Sequence, residues 1–176
     1  GIPSHLVTTD NVNAAKRLCN RLLDNGHTDI SLMAITDPEA TTTLDRIEGF
    51  YEAFQDRGLP FDRNLSFTRF DSVLPYTPGD SQCLKVLDNM MTHICAHPEV
   101  TAFFATEYKI VTYLYEALDR LGKKVPDDYS VVCFDSPPVS RYSVQTEHVL
   151  QREDKLGIMA AQLMLEVMEK PTSIQK

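Results

Sequence analysis

Apolar and polar positions alternate along this chain with two periods, and the two take turns. In residues 11–25 (NVNAAKRLCNRLLDN), Val12, Ala15, Cys19, Leu22 and Leu23 recur at helical spacing, and Gly26 follows as a stop. DISLMAI (29–35) is a short apolar run of buried-strand type. The scheme repeats in 41–57, where Leu44, Ile47, Tyr51 and Phe54 mark a helix closed by Gly58-Leu59-Pro60, ahead of strand-like NLSFTRF (64–70). After the turn-rich DSVLPYTPGD (71–80), a helix is predicted through Leu84, Leu87, Met91 and Ile94 up to Pro98, then a strand at VTAFFAT (100–106). Ile110, Leu114, Leu118 and Leu121 mark the next helix, closed by Gly122, and SVVCF (130–134) the next strand. EHVLQ (147–151) reads as a short extended piece, and Leu156, Ala160, Leu163 and Val167 as a last helix. HLVTT (5–9) is strand-like at the start.

Strands apolar on both faces, alternating with helices, call for a parallel sheet covered on both sides. With right-handed crossovers, this is an α/β doubly wound sheet with helices on both faces. The 176 residues are 43% hydrophobic and 24% charged, enough for one packed core with no linker. A net charge of -8 disfavours direct binding to DNA or an anionic membrane, and no apolar run is long enough to span one. A neutral polar ligand or a protein suits such a surface better.

The four cysteines (19, 83, 95, 133) have no C-x-x-C spacing and are expected as reduced core thiols of a cytoplasmic protein. The five scattered histidines suggest no metal site, and no cofactor is expected. Neither a phosphate-cradling glycine loop nor a nucleophile elbow is present, so no catalytic residue is assigned.

Ligands of open α/β sheets bind outside the carboxyl ends of the strands. The residues there are Thr9-Asp10, Asp37, Phe70-Asp71, Thr106-Glu107 and Asp135-Ser136, a rim of carboxylates and hydroxyls. Asp10, Asp37 and Asp71 fit caps or turns better than ligands. Asp135 stands apart, because it follows Phe134 directly and Pro137-Pro138 keep it from opening a helix. A carboxylate there can accept two hydrogen bonds from vicinal hydroxyls.

Six stretches, in order, resemble the effector-binding domain of the lactose/galactose repressor family of bacterial transcription regulators. They are IPSHLVTTDN, RLLDNGHTDISLMAI, LDRIEGFYEAFQDRGLP, HPEVTAFFATEY, VPDDYSVVCFDSPP and HVLQREDKLGIMAAQLML, together covering nearly the whole chain. The resemblance implies two lobes of the type I periplasmic-binding-protein kind, joined by crossover strands. Residues 1–10 would be a crossover strand, 11–136 the C-terminal lobe, and 137–176 the return crossover and a helix of the N-terminal lobe. The DNA-binding domain would lie outside this chain, as a helix-turn-helix or a winged helix.

By position, Arg46 matches the arginine that reaches the effector, Asp135 the cleft aspartate, Thr106 a polar contact often Asn in relatives, and Gln151 a crossover residue near the ligand. Glu107 matches a usual Asp and would cap a helix. Phe70 or Tyr76 would stack on a sugar face. Thr106-Glu107 in place of Asn-Asp implies a changed effector, and Cys133 stands where the family usually has Gly. The implied partners are a small-molecule effector of the sugar class, a second copy of the chain, for which 110–118 (IVTYLYEAL) offers a contact face unless it simply packs into the core, and operator DNA through the absent domain. A periplasmic sugar-binding protein of a transporter shares the architecture and is the alternative. A small α/β enzyme has only the acidic rim in its favour.

Overall fold

The apolar runs pair edge to edge. In the computed structural model, which describes residues 5–35, 41–70, 77–135 and 146–169 (side chains of 69 and 70 excepted), five strands form one parallel sheet. They are β1 (Ile30–Ile35), β2 (Phe67–Phe70), β3 (Ala102–Ala105), β4 (Ser130–Phe134) and β5 (Glu147–Val149), in the order β2-β1-β3-β4-β5. The helices between them are α1 (Asn11–Asp24), α2 (Thr41–Asp56), α3 (Ser81–Ala96) and α4 (Tyr108–Arg120). The doubly wound parallel sheet read from the sequence is therefore the observed one.

Side chains of successive strand residues alternate between two cores, as the pleat requires. Ala102, Phe104, Val132 and Phe134 face α1 and α2, whose Ala15, Leu18, Phe50 and Phe54 complete that core. Phe103, Ala105, Val131 and Cys133 face α3 and α4 on the other side, with Leu87, Met90, Ile110 and Leu114. Ser31 breaks the apolar run of β1 without cost, since its hydroxyl donates to the Leu65 carbonyl at 2.6 Å. Gly26 ends α1 at φ 88°, which lets the His27 amide reach back to the Leu22 carbonyl at 3.1 Å. Asp80 caps α3, accepting from the Gln82 and Cys83 amides at 3.0 Å each.

Four expectations need correcting. HLVTT is not a strand among the described residues: it has no ladder partner, and Leu6 is 80% exposed. The first half of NLSFTRF is a turn of 3₁₀ helix, Arg63–Leu65, held by the Asp62 carboxylate on the Asn64 amide, so β2 starts only at Phe67. Cys95 is exposed, while Cys19, Cys83 and Cys133 are buried free thiols. The stretch 110–118 is core rather than an open contact face: α4 buries seven residues, and Tyr113 and Tyr115 turn their hydroxyls to Cys83 Sγ (3.1 Å) and Thr146 Oγ1 (2.7 Å).

The chain divides into two compact units. Residues 11–150 form the sheet unit. The other joins the first ten residues to those from Gln151 onward. Its helix α5 (Glu153–Glu169) buries no side chain, and Ile158, Met159, Met164, Leu165 and Met168 are each more than half exposed.

Candidate functional site

The sheet order places a switch point beside β1. The chain leaves β1 for β2 on one side, then returns past it to β3, β4 and β5 on the other. At such a point the loops after the two central strands part and leave a crevice at their carboxyl ends. Here the Thr106 amide, just past β3, donates to the Met33 carbonyl of β1 at 2.9 Å and holds the two strand ends together.

Arg46 ties this edge to the helices. It is only 4% exposed. Its Nη1 donates to the Thr106 carbonyl at 2.7 Å and its Nε to Asn11 Oδ1 at 3.1 Å. The guanidinium lies over the Phe134 ring, 4.3 Å from its centroid. One side chain thus joins the start of α1, the first turns of α2 and the ends of β3 and β4. Burial pulls its pKa below the ordinary arginine value, and the charges of Asp135, Glu107 and Asp45 work against that pull.

Asp135 ends β4 in the left-handed region, at φ 65°. Among L residues, Asp and Asn tolerate this conformation best, and holding it still costs about 1 kcal/mol or more. Its amide donates to the Val149 carbonyl of β5 at 2.9 Å, and its carbonyl accepts from the Cys133 thiol at 3.2 Å. Burial, with Asp135 adding to it, pushes that thiol up to about 12, so Cys133 stays protonated. β4 is regular through Phe134, with Cys133 fully buried within it.

Glu107 precedes α4 in extended conformation, but its side chain makes no capping hydrogen bond, which corrects its reading as a cap. The carboxylate instead accepts from the Thr43 hydroxyl at 3.5 Å. It is half-buried, and desolvation raises its pKa above the ordinary 4.5 despite Arg46 and Lys109. Thr106 is fully buried, and its hydroxyl has no hydrogen-bond partner among the described residues.

Of the residues read as ligand contacts, the fold brings Arg46, Thr106 and Asp135 to one edge, with Glu107. Gln151 belongs to the other unit, where the Thr9 hydroxyl lies 3.3 Å from its Oε1. The side chain of Phe70, with Asp37, Asp71 and Tyr76, lies outside the described residues. Asn11 and Thr43, 2% and 1% exposed, were missed by sequence reasoning. Both sit in the first turn of a helix, where a polar residue ordinarily serves the helix end. Among the described residues no group of three or more metal-ligating side chains occurs, and no helix is long and apolar enough to cross a membrane.

A polar, charged rim at the switch point of a doubly wound parallel sheet is where open α/β folds bind small molecules. Residues 19–176 match the model of the periplasmic binding protein-like domain, and the chain belongs to that family. Its relatives are helix-turn-helix transcription regulators. It is 32% identical over 136 residues to the regulator DegA of Bacillus subtilis, covering 77% of this chain and 36% of DegA. It is 29% identical over 148 residues to the repressor PurR of Histophilus somni, covering 81% of this chain and 40% of PurR. The chain therefore spans well under half the length of these relatives.

Solved structures share the fold. A complex of the regulator CelR with cellobiose superposes with a TM-score of 0.75 at 22% identity, over 94% of this chain and 47% of that one. A LacI-family regulator of Enterococcus faecium with bound ribose gives 0.74 at 23% identity, over 94% and 57%.

Proposed function

We propose that this chain supplies most of one lobe of the effector-binding domain of a bacterial transcription regulator. Its ligand is a small polyhydroxylated molecule of the sugar class, held at the edge formed by Arg46, Thr106, Glu107 and Asp135. The observation that carries the reading is Asp135, a residue in a costly backbone conformation at the switch-point edge, beside a fixed guanidinium. Strain of that kind persists where a side chain must be aimed. Relatives that are regulators, and fold neighbours with cellobiose and ribose bound, support the ligand class.

Residues 11–150 form the lobe in this reading, because β5 completes its sheet. The apolar face of α5 suits packing onto the rest of a second lobe. Ligand held between two lobes favours the closed arrangement. That bias changes the affinity of a dimer for operator DNA, which a separate domain contacts in the cytoplasm. No catalytic step is assigned to the rim. The transporter receptor shares the fold, but the relatives found are regulators.

Asp135→Gly tests the reading. Glycine takes φ 65° without strain, so the variant is expected to unfold no more easily than the parent, and up to about 1 kcal/mol less easily. Calorimetric titration of the full-length protein with neutral sugars is expected to show at least a tenfold loss of affinity. Unchanged affinity would take Asp135 out of the site.

A further inference from the structure

We propose that the sheet unit carries a second small-molecule site, at the end of the sheet opposite the Arg46–Asp135 edge, and that it takes an uncharged planar ring bearing an amide or lactam. A cavity of about 560 Å³ opens there, between the stretch that leads into β2 and the last turns of α3. That volume falls in the range of small-molecule sites. The stretches on its two sides, 62–67 and 89–97, are described throughout. Three rings meet at its wall: Phe67 lies 5.2 Å from His93, and His93 lies 4.7 Å from His97, centroid to centroid. A further flat ring extends such a run by offset or edge contact. Each histidine has one nitrogen committed. The Ser31 hydroxyl gives its proton to the Leu65 carbonyl at 2.6 Å, so its oxygen accepts from His93 Nε2 at 3.0 Å. The Glu99 carboxylate can only accept, so His97 Nδ1 donates to it at 3.0 Å, and Nε2 is the acceptor of the neutral His97 ring.

Beside the rings stand groups that match an amide. Asn64 and Asn89 line the cavity, one from each side, and neither side chain makes a hydrogen bond among the described residues. Each offers a donor and an acceptor side by side, the complement of an amide or lactam edge. Ser66 adds a hydroxyl that is buried and has no partner among the described residues, so no bond holds its χ1 away from a ligand. Charge decides what is refused. Asp62 lines the cavity and no lysine or arginine does among the described residues, so an anion meets a carboxylate with no cation to offset it. An ammonium gains little either. Asp62 is exposed and already accepts from the Asn64 amide at 2.9 Å, and water competes for the rest of it. This site shares no residue with the effector edge, so the two readings stand or fall separately.

The test titrates the full-length protein, without sugar, with nicotinamide, uracil and cytosine, and with the charged relatives nicotinate, orotate and pyridylmethylamine. At least one neutral ring is expected to bind in the millimolar range or tighter, and its charged relatives at least tenfold more weakly. His97→Phe keeps the ring and removes the acceptor nitrogen, and it is expected to weaken the neutral ligand at least tenfold. Asn89→Ala is expected to do the same, and it changes an exposed helix position whose side chain holds nothing else, so it folds as the parent does. Asp135→Gly, at the other end of the sheet, is expected to leave this binding as it was. Binding by none of the neutral rings overturns the proposal. So does equal binding of a charged relative, a neutral ligand indifferent to both His97→Phe and Asn89→Ala, or one lost in Asp135→Gly.

Discussion

Arg46→Ala is expected to lower the free energy of unfolding by about 3 kcal/mol or more, the largest effect of any single substitution at the rim. Three losses add. The Thr106 carbonyl, on a residue with no solvent exposure, loses a 2.7 Å donor. Asn11, 2% exposed, loses its bond to Nε. The ring of Phe134 loses the guanidinium that covers it. Release of a desolvated cation offsets part of this, but the cation is hydrogen-bonded where it lies, so the losses win. Arg46→Met keeps most of the volume without the donors, and its cost should fall between parent and alanine. Urea unfolding followed by circular dichroism reads both. A loss below about 1 kcal/mol for Arg46→Ala would mean that the tie across the four elements holds little together.

Gly49→Ala is expected to destabilise by about 2 kcal/mol or more, although alanine is the better helix former by about 1 kcal/mol. A Cβ built on Gly49 would stand 2.1 Å from the Val12 carbonyl oxygen and 2.9 Å from Ala15 Cβ. The first of these is backbone of α1, which no rotamer change can move. The two helices would have to part, opening the core that Phe50, Ala53 and Phe54 share with Ala15 and Cys19. Gly157, also helical, has nothing within 4 Å of the same added atom. Gly157→Ala should therefore stabilise by up to about 1 kcal/mol, which makes it a control for helix propensity. Equal effects at the two positions, read as shifts in the denaturant midpoint, would contradict the close approach of α1 and α2.

These two residues also show where the amino-acid pattern stops being legible. Helical periodicity placed Leu44, Ile47, Tyr51 and Phe54 on the inner face of α2. The structure buries Thr43, Arg46, Gly49, Phe50, Ala53 and Phe54, and leaves Leu44 49% exposed. An apolar count puts arginine last among buried residues, and here the groups that satisfy it come from Asn11 and from the carboxyl end of β3, distant along the chain. The strands were easier. SVVCF is β4 to the residue, because a run of β-branched and aromatic side chains buried on both faces has few other solutions.

Asp135 was legible as a functional residue because a carboxylate ending such a run is out of place, though its positive φ was not. Glu107 shows the opposite failure. An acidic residue before a helix fits a cap so well that the pattern hides a side chain turned elsewhere. HLVTT has strand composition and no ladder among the described residues, since pairing partners lie beyond what a local pattern reports.

The measurement that bears most directly on the account is a pair of calorimetric titrations with the same panel of neutral sugars. One uses the full-length protein, the other this 176-residue chain alone. A ligand held between two lobes should bind the full-length protein with micromolar affinity or better, and the isolated chain at least a hundredfold more weakly. Equal, tight binding by the isolated chain would show that the site is complete within it, and the assignment of these residues to one lobe of a two-lobed receptor would be wrong.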